Sequence, residues 1–554
     1  MKKLSINIVD IVVFTVVACF AASFLFCSAS RAEASSLAEL APVFDKYEIG
    51  ISDNDLSVIH EVYEYWAKRG DTIWPGVDFQ TTPIAIVFPE KYNILIGHDR
   101  DITGEIFLTD KFPLFNKKAV LIKDNTFMHG AMTSPAFNGR PTVFINTIET
   151  TNKFTRDYAK SNNLKEYLNY KINLLEYMGK ITHELFHAYQ YGEMKLYPRD
   201  GKPNKPIRLT KIDYPYLDGE IDMLLGVEGK ILAKIFASGD TAEIDSLWND
   251  FLCVRKFRHA KIDPELVRLE DYMEFSEGTA QYVECMVRYA ATNEAGIFDD
   301  IRKLPGFGET RTNDSFKDFA AATLNKLYSP QMNMYMTYVY FTGMAQTYTL
   351  NKIRPDWRKD LFRKHRNFGK IAFENAAVST DEAKIKELKA KYGADEMAAK
   401  INEELGKLKE VNRKKFDKFS SAAGMKFDIV FEGACAKDVL VYAPVLLTEH
   451  ENIRIFEAGC SKIERIDDEF DALATIDFKA AVPIFFDRNS GEVSFIIEKP
   501  EKQKFEITSK TKKEDRNKTV YENEAAFTNE VFGFTAAKIE VIKISGDHVK
   551  IIVK

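Results

Sequence analysis

The hydrophobic pattern of this chain changes from helical to strand-like near residue 425, and this change most constrains its fold. Before it, short apolar runs typical of strands occur between residues 80 and 150, and long segments with helical spacing follow. After it, β-branched and aromatic runs recur to the last residue, with Ser545-Gly546-Asp547 as a hairpin turn. We therefore expect an α+β protein with a separate β-rich C-terminal part.

The predicted organisation has four parts along the chain. Residues 1–34 form a targeting segment, 35–376 a folded body, 377–424 a charged helical linker and 425–554 a β-rich C-terminal domain. The body combines a small mixed sheet at 80–150, a first long helix at 164–191 and a mainly helical lobe at 215–376. In the first long helix, the apolar positions recur at helical spacing: Leu164, Leu168, Leu175, Met178, Leu185 and Phe186.

Charge and composition exclude several classes of protein. The 554 residues include 76 Lys+Arg and 82 Asp+Glu, which leaves a net charge of −6. Because no domain-wide excess of basic residues is present, nucleic acid is not an expected partner. The 41 Phe and 24 Tyr exclude a disordered or collagen-like chain.

The first residues have the features of an export signal. Lys2 and Lys3 precede an uncharged, mostly apolar run from Ile11 to Cys27, and Ala32-Glu33-Ala34 has the small-x-small pattern of a cleavage site. We expect a signal peptide over residues 1–34 and export to the periplasm or the extracellular space. An uncleaved membrane anchor, or a lipoprotein modified at Cys19, are the alternatives.

Four cysteines remain after that cleavage. They lie singly, without a CxxC motif, so a cysteine metal cluster is not expected. Cys435 and Cys460 fall in the strand-rich part and could pair in an oxidising compartment, or remain isolated buried thiols. The other two are Cys253 and Cys285.

The motif that indicates chemistry is His183-Glu184-Leu185-Phe186-His187. On a helix, residues four apart share a face, so both imidazoles can bind one metal ion. Zinc sites for hydrolysis use neutral nitrogen ligands, an open position and a nearby base for water. His-Glu-x-x-His supplies these groups from one helical turn, with Glu184 as the base.

A third ligand has to come from another part of the chain. Our preferred candidate is Glu277, in a predicted helix whose carboxylate could face the motif helix. Glu193 lies six residues after His187, as in metzincins, but Gln190 occupies the position of their glycine turn. Glu274 and Glu284 are further alternatives at helical spacing from Glu277.

His183–His187 together with Glu277-Gly278-Thr279-Ala280 resembles the gluzincin metallopeptidases, the clan of thermolysin-like enzymes and gluzincin aminopeptidases. The resemblance covers about residues 140–350. It implies a zincin-like body, one Zn²⁺ per chain on His183, His187 and Glu277, and hydrolysis of peptide bonds by a zinc-activated water. The substrate would then be a protein or a peptide.

Two features depart from the gluzincin aminopeptidases. The interval from His187 to Glu277 is 90 residues, which is longer than theirs. Gly130-Ala131-Met132-Thr133-Ser134 is similar to their GxMEN amine-anchoring motif, but Thr133 stands at the position of the anchoring glutamate. We therefore expect an endopeptidase.

Further residues are candidates for supporting roles. Glu184 would take a proton from water and transfer it to the leaving amine. Tyr340, with Tyr338 beside it, is the candidate donor to the oxyanion. The groups that could orient the histidines are Glu228, Gln281 and Glu284, although a buried Glu228 could equally pair with Arg255 or Arg258.

The resulting hypothesis is a secreted zinc-dependent peptidase. Its C-terminal domain would bind a partner, anchor the protein or present the substrate. Anchoring would include association with the cell envelope. One alternative is a zinc amidohydrolase acting on a non-peptide substrate. Another is a secreted or surface binding protein that keeps a peptidase scaffold without turnover.

Overall fold

The computed structural model describes residues 34–553 with gaps. The longer gaps are 124–131, 162–167, 194–212, 308–315, 359–367, 433–438, 443–447, 457–461, 467–471, 479–483 and 498–505, and gaps of one to three residues occur elsewhere. The predicted export signal, the Cys435–Cys460 pair and most of the Gly130–Ser134 segment lie outside the described residues. Within them, no helix is both long enough and apolar enough to cross a membrane.

Helices dominate the part of the chain before residue 421. In chain order they are α1 (Ala34–Lys46), α2 (Asp53–Ile73), α3 (Ile148–Ser161), α4 (Leu174–Glu193), α5 (Gly219–Ala237), α6 (Thr241–His259), α7 (Pro264–Met273), α8 (Thr279–Asn293), α9 (Phe316–Leu324), α10 (Pro330–Asn333), α11 (Tyr338–Ile353), α12 (Phe368–Phe373), α13 (Glu382–Lys391) and α14 (Ala394–Ser420). Between α7 and α8, residues Glu274–Gly278 form one turn of π-helix, which we call the π turn.

A five-stranded sheet precedes most of these helices. Its strands are β1 (Ile84–Val87), β2 (Asn93–Ile96), β3 (Ile106–Thr109), β4 (Ala119–Ile122) and β7 (Val143–Asn146), in the order β3-β4-β2-β1-β7. β1 and β7 are parallel and the other pairs are antiparallel. β1, β2, β4 and β7 are buried at every residue, which is typical of strands covered on both faces. Two short strands, β5 (Ala136–Phe137) and β6 (Arg140–Pro141), pair separately.

The C-terminal part is a second mixed sheet. It contains β8 (Met425–Phe431), β9 (Val439–Tyr442), β10 (Thr448–His450), β11 (Ile453–Phe456), β12 (Lys462–Ile466), β13 (Ala472–Phe478), β14 (Ile484–Asp487), β15 (Val493–Ile497), β16 (Glu506–Thr508), β17 (Thr511–Asp515), β18 (Lys518–Thr528), β19 (Phe532–Ser545) and β20 (His548–Val553). The main path runs β10-β11-β14-β15-β8-β20-β19-β13-β12-β9, with β18 on β19 and β16 and β17 on β18. Only β8 and β20 are parallel among the described pairs of this sheet.

These two mixed sheets and the helices confirm the α+β prediction. The described residues up to 204 and those of 220–397 form one compact unit, and those of 213–219 and from 398 onward form the other. The division falls inside α14, and Asp213 joins the second unit through an ion pair of 2.6 Å with Arg454.

The motif helix begins ten residues later than the sequence indicates. The predicted start is residue 164, whereas α4 begins at Leu174 and residues 168 and 169 form a turn. The Asn173 side chain accepts a hydrogen bond of 2.8 Å from the Glu176 amide. An asparagine that satisfies a free amide in this way is a strong helix start, and here it prevails over the apolar periodicity before it.

Candidate metal centre

The two motif histidines lie side by side on α4. Their rings are 4.7 Å apart between centroids and nearly perpendicular, at 79°. Both residues are buried, so their polar nitrogens need partners in the protein or a bound group. The four-residue spacing on one helix accounts for this placement.

Glu277 reaches the same point from the π turn. Its Oε2 atom lies 3.5 Å from His183 Nε2 and 3.4 Å from His187 Nε2. Ligand atoms of the three residues lie within 4.8 Å of one another. Metal–ligand bonds of about 2.0–2.1 Å in a tetrahedral zinc site separate the ligand atoms by about 3.3 Å, so the two spacings from Glu277 to the imidazoles fit such an ion.

A close helix contact brings α8 to α4. A Cβ added to Gly179 of α4 would lie 2.9 Å from Glu284 Cγ of α8, so a larger side chain there would displace the Glu284 side chain. Because of this approach, Glu284 Oε2 lies 3.2 Å from His183 Nδ1. Neither atom has another hydrogen-bond partner in the described part of the chain. Glu284 therefore contacts the ring nitrogen that faces away from Glu277.

Gln190 holds the second histidine in the same way. His187 Nδ1 and Gln190 Oε1 are 2.7 Å apart. Gln190 Nε2 donates to Thr279 Oγ1 at 2.8 Å and to the Ser276 carbonyl at 3.1 Å, which leaves its oxygen to accept from the imidazole N–H. With a proton on Nδ1, the His187 Nε2 lone pair is free to bind a metal ion.

The electrostatics of this cluster favour positive charge. Burial lowers the pKa of His183, but hydrogen bonding to Glu277 and Glu284 outweighs burial and raises that pKa to about 9. Burial disfavours ionised Glu277, yet His187 and His183 hold its pKa well below the usual range. Likewise Lys180, His183 and Arg288 overcome burial and hold the pKa of Glu284 low. Two ionised carboxylates around two imidazoles suit a divalent cation.

Glu184 follows His183 on α4 and is partly exposed. Burial raises the pKa of its carboxyl, and Glu277 raises it further, while the two histidines lower it. A carboxylate with a raised pKa beside an exposed face of the site is suited to accepting and returning a proton.

The two tyrosine candidates have different surroundings. The Tyr340 ring stacks on the His183 ring, with centroids 6.2 Å apart and planes at 22°, and it is partly exposed. Tyr338 is buried, and its hydroxyl donates to Glu270 Oε2 at 2.8 Å. The structure therefore brings Tyr340 to the cluster and directs Tyr338 to a different carboxylate, so Tyr338 is wrong as an oxyanion donor.

The remaining acidic candidates are Glu274, Glu228 and Glu193, and the first two pair with buried arginines. Glu274 binds Arg255 through both carboxylate oxygens, at 2.6 and 2.7 Å, so it is wrong as a fallback ligand. Glu228 pairs with Arg255 and Arg258, which is the structural role that the sequence offered as the alternative to orienting the histidines. Glu193 ends α4, and its side chain lies outside the described residues.

Of the residues expected to orient the histidines, Glu284 lies at His183, whereas Gln281 donates to Cys285 Sγ at 3.3 Å. Gln190 was not among the sequence candidates. Its position three residues after His187, on the same helix face, is the signal that could have identified it.

No protein-family model, curated protein or solved structure matches this chain. Function is therefore inferred from the side chains of the site itself.

Proposed function

We propose that the protein is a zinc-dependent hydrolase that cleaves peptide bonds, with a zincin-like body related to the gluzincins. One observation carries the proposal: His183, His187 and Glu277 converge on one point while Glu284 and Gln190 hold the opposite ring nitrogens. Oriented imidazoles of this kind are a general feature of metal-binding histidines.

The donor set favours zinc over the hard cations. Two imidazole nitrogens and one carboxylate oxygen match the three protein ligands of catalytic zinc sites, which keep a fourth position open. Calcium and magnesium instead require mostly oxygen ligands. The Glu277 side chain is 24 % exposed, in contrast to 8 % and 9 % for the histidine side chains, so the site has one accessible side.

Each residue then has a defined task. His183, His187 and Glu277 would hold the ion. When bound, zinc supplies Lewis acidity toward a carbonyl oxygen and lowers the pKa of a water molecule. Glu184 accepts the proton of the attacking water and returns it to the leaving nitrogen. Tyr340, stacked on His183, donates a hydrogen bond to the carbonyl oxygen as negative charge develops there.

The cellular setting follows from sequence arguments. Residues 1–34 predict export, so we propose proteins or peptides of the periplasm or the extracellular space as substrates. The β-rich C-terminal sheet would bind or present substrate, or attach the enzyme to the cell envelope.

Elemental analysis and peptide hydrolysis test the proposal together. The purified chain should contain about one zinc, and H183A should contain none. Glu184→Gln should keep the zinc and lose hydrolysis of a peptide library by about 10²-fold or more. Zinc absent from the wild type after reconstitution would refute the metal site. Zinc present with no difference between wild type and Glu184→Gln in any assay would favour the binding-protein alternative.

A further inference from the structure

Regular α-helical geometry is interrupted at the third proposed ligand, because Glu277 lies in the π turn. Glu274–Gly278 connects α7 and α8 without a break, since the flanking Met273 and Thr279 are also helical. A π turn contains one residue more than the α-helical turn and is found frequently at functional sites. Here Glu277 and Glu284 face α4, whereas Glu274 faces Arg255. The position of Glu277 therefore depends on the register of this turn.

Glu274 anchors the turn on the side away from the histidines. Arg255 binds its two oxygens from Nη1 and Nη2, at 2.6 and 2.7 Å. Gln346 Nε2 donates to Glu274 Oε2 at 2.8 Å, and Thr342 Oγ1 donates to Oε1. Four donors on one buried carboxylate restrict its position strongly.

Arg255 itself belongs to a fully buried ionic cluster. Glu228 of α5 and Glu270 of α7 pair with Arg255 and Arg258 of α6, and all four side chains are 0–2 % exposed. Burial of so many charges seldom adds net stability compared with apolar packing, and such clusters are often explained by the arrangement that they specify. Through Arg255, this cluster binds Glu274 in the turn that bears Glu277.

We infer that Glu274, held by Arg255, is a positioning residue for the metal ligand Glu277. The ion pair sets the rotation of the π turn about its axis, so the Glu277 carboxylate points at the two Nε2 atoms. From the opposite side, Gln190 donates to the Ser276 carbonyl and links the same turn to His187. This inference rests on the proposed zinc site and adds a role for a residue that binds no metal.

The test compares two glutamates that share one arginine. Glu274→Gln and the control Glu228→Gln both remove a buried charge from Arg255, but only Glu274 belongs to the π turn. Both variants should unfold at lower temperature than the wild type. Zinc affinity, measured by chelator competition, should fall by about tenfold or more in Glu274→Gln and by less than threefold in Glu228→Gln. The visible spectrum of the Co²⁺-substituted protein should change only in Glu274→Gln, because it reports ligand geometry.

A milder variant covers the case in which Glu274→Gln does not fold. Thr342→Val removes one donor to Glu274 and should lower zinc affinity in the same direction by a smaller factor. If the wild type binds zinc and Thr342→Val, together with Glu274→Gln where that variant folds, binds it equally well, Glu274 only stabilises the fold and the positioning role is overturned. A wild type without zinc would instead refute the proposed function, and the positioning role with it.

Discussion

Gly343 of α11 packs directly against Gly278 of the π turn, backbone to backbone. A Cβ on either residue would overlap the backbone of the other segment. On Gly343 it would meet the Glu274 carbonyl oxygen and Gly278 Cα. Tyr340 lies one turn before Gly343 on α11, so this contact holds the segment whose Tyr340 ring lies 6.2 Å from the His183 ring between centroids. The absence of two side chains thus brings the proposed oxyanion donor to the proposed metal site.

Gly343→Ala should therefore destabilise the protein. Backbone atoms cannot move aside as a flexible side chain can, so we expect a loss of about 1–3 kcal/mol in the free energy of unfolding, measured in urea. Gly239→Ala is the matched control in the same compact unit, because nothing lies within 4 Å of the added Cβ. Equal stability of the two variants would contradict the close packing of α11 on the π turn.

Gln190→Leu should weaken zinc binding while the fold is kept. The change removes the acceptor for His187 Nδ1 from a buried position, and loss of such partners costs about 10–100-fold in metal affinity. Gln281→Leu is the control, since Gln281 is also buried but donates to Cys285 Sγ. A chelator competition would show the difference. The role of Gln190 fails if both variants bind zinc as the wild type does.

Zinc affinity should rise with pH. The pKa of His183 is raised to about 9 by Glu277 and Glu284, so below pH 9 the metal-free imidazole carries a proton. Zinc requires the neutral ring and must displace that proton, so the apparent affinity should increase about tenfold per pH unit between pH 6 and 8. Calorimetry in buffers of different ionisation enthalpy would count the released proton. An affinity that does not change over this range would be inconsistent with a protonated His183.

Tyr340→Phe should lower kcat and leave zinc content unchanged. Removing one donor to a developing oxyanion costs about 10²–10³-fold in kcat. Tyr338→Phe is the matched control on the same helix: its hydroxyl is buried against Glu270, so its loss should cost about 1–3 kcal/mol of stability. Steady-state kinetics with thermal unfolding separates the two effects. A Tyr338→Phe variant that loses kcat as much as Tyr340→Phe would argue against the assignment.

Local sequence patterns account for part of the fold and the site. The α+β class follows from two kinds of periodicity, since alternating and helical apolar spacing each imply a buried face. The start of α4 does not follow from that pattern, because the hydrogen bond that the Glu176 amide donates to the Asn173 side chain competes with it. The short strand β3, which is only partly buried, has little periodicity by which to recognise it.

The sequence by itself determined that His183, Glu184 and His187 share one helical turn, because a spacing of four residues fixes a common face wherever the helix packs. It favoured Glu277 as the third ligand but left Glu274 and Glu284 as alternatives, because the three are the same residue type at helical spacing on one continuous segment. Only the tertiary structure decided between them. The π turn rotates Glu274 toward Arg255. Gly179 allows α8 to approach α4, and Gly278 allows α11 to approach the π turn, which leaves Glu277 and Glu284 at the histidines. Long-range packing assigns these roles because each carboxylate goes where a buried cation or imidazole compensates for its lost hydration.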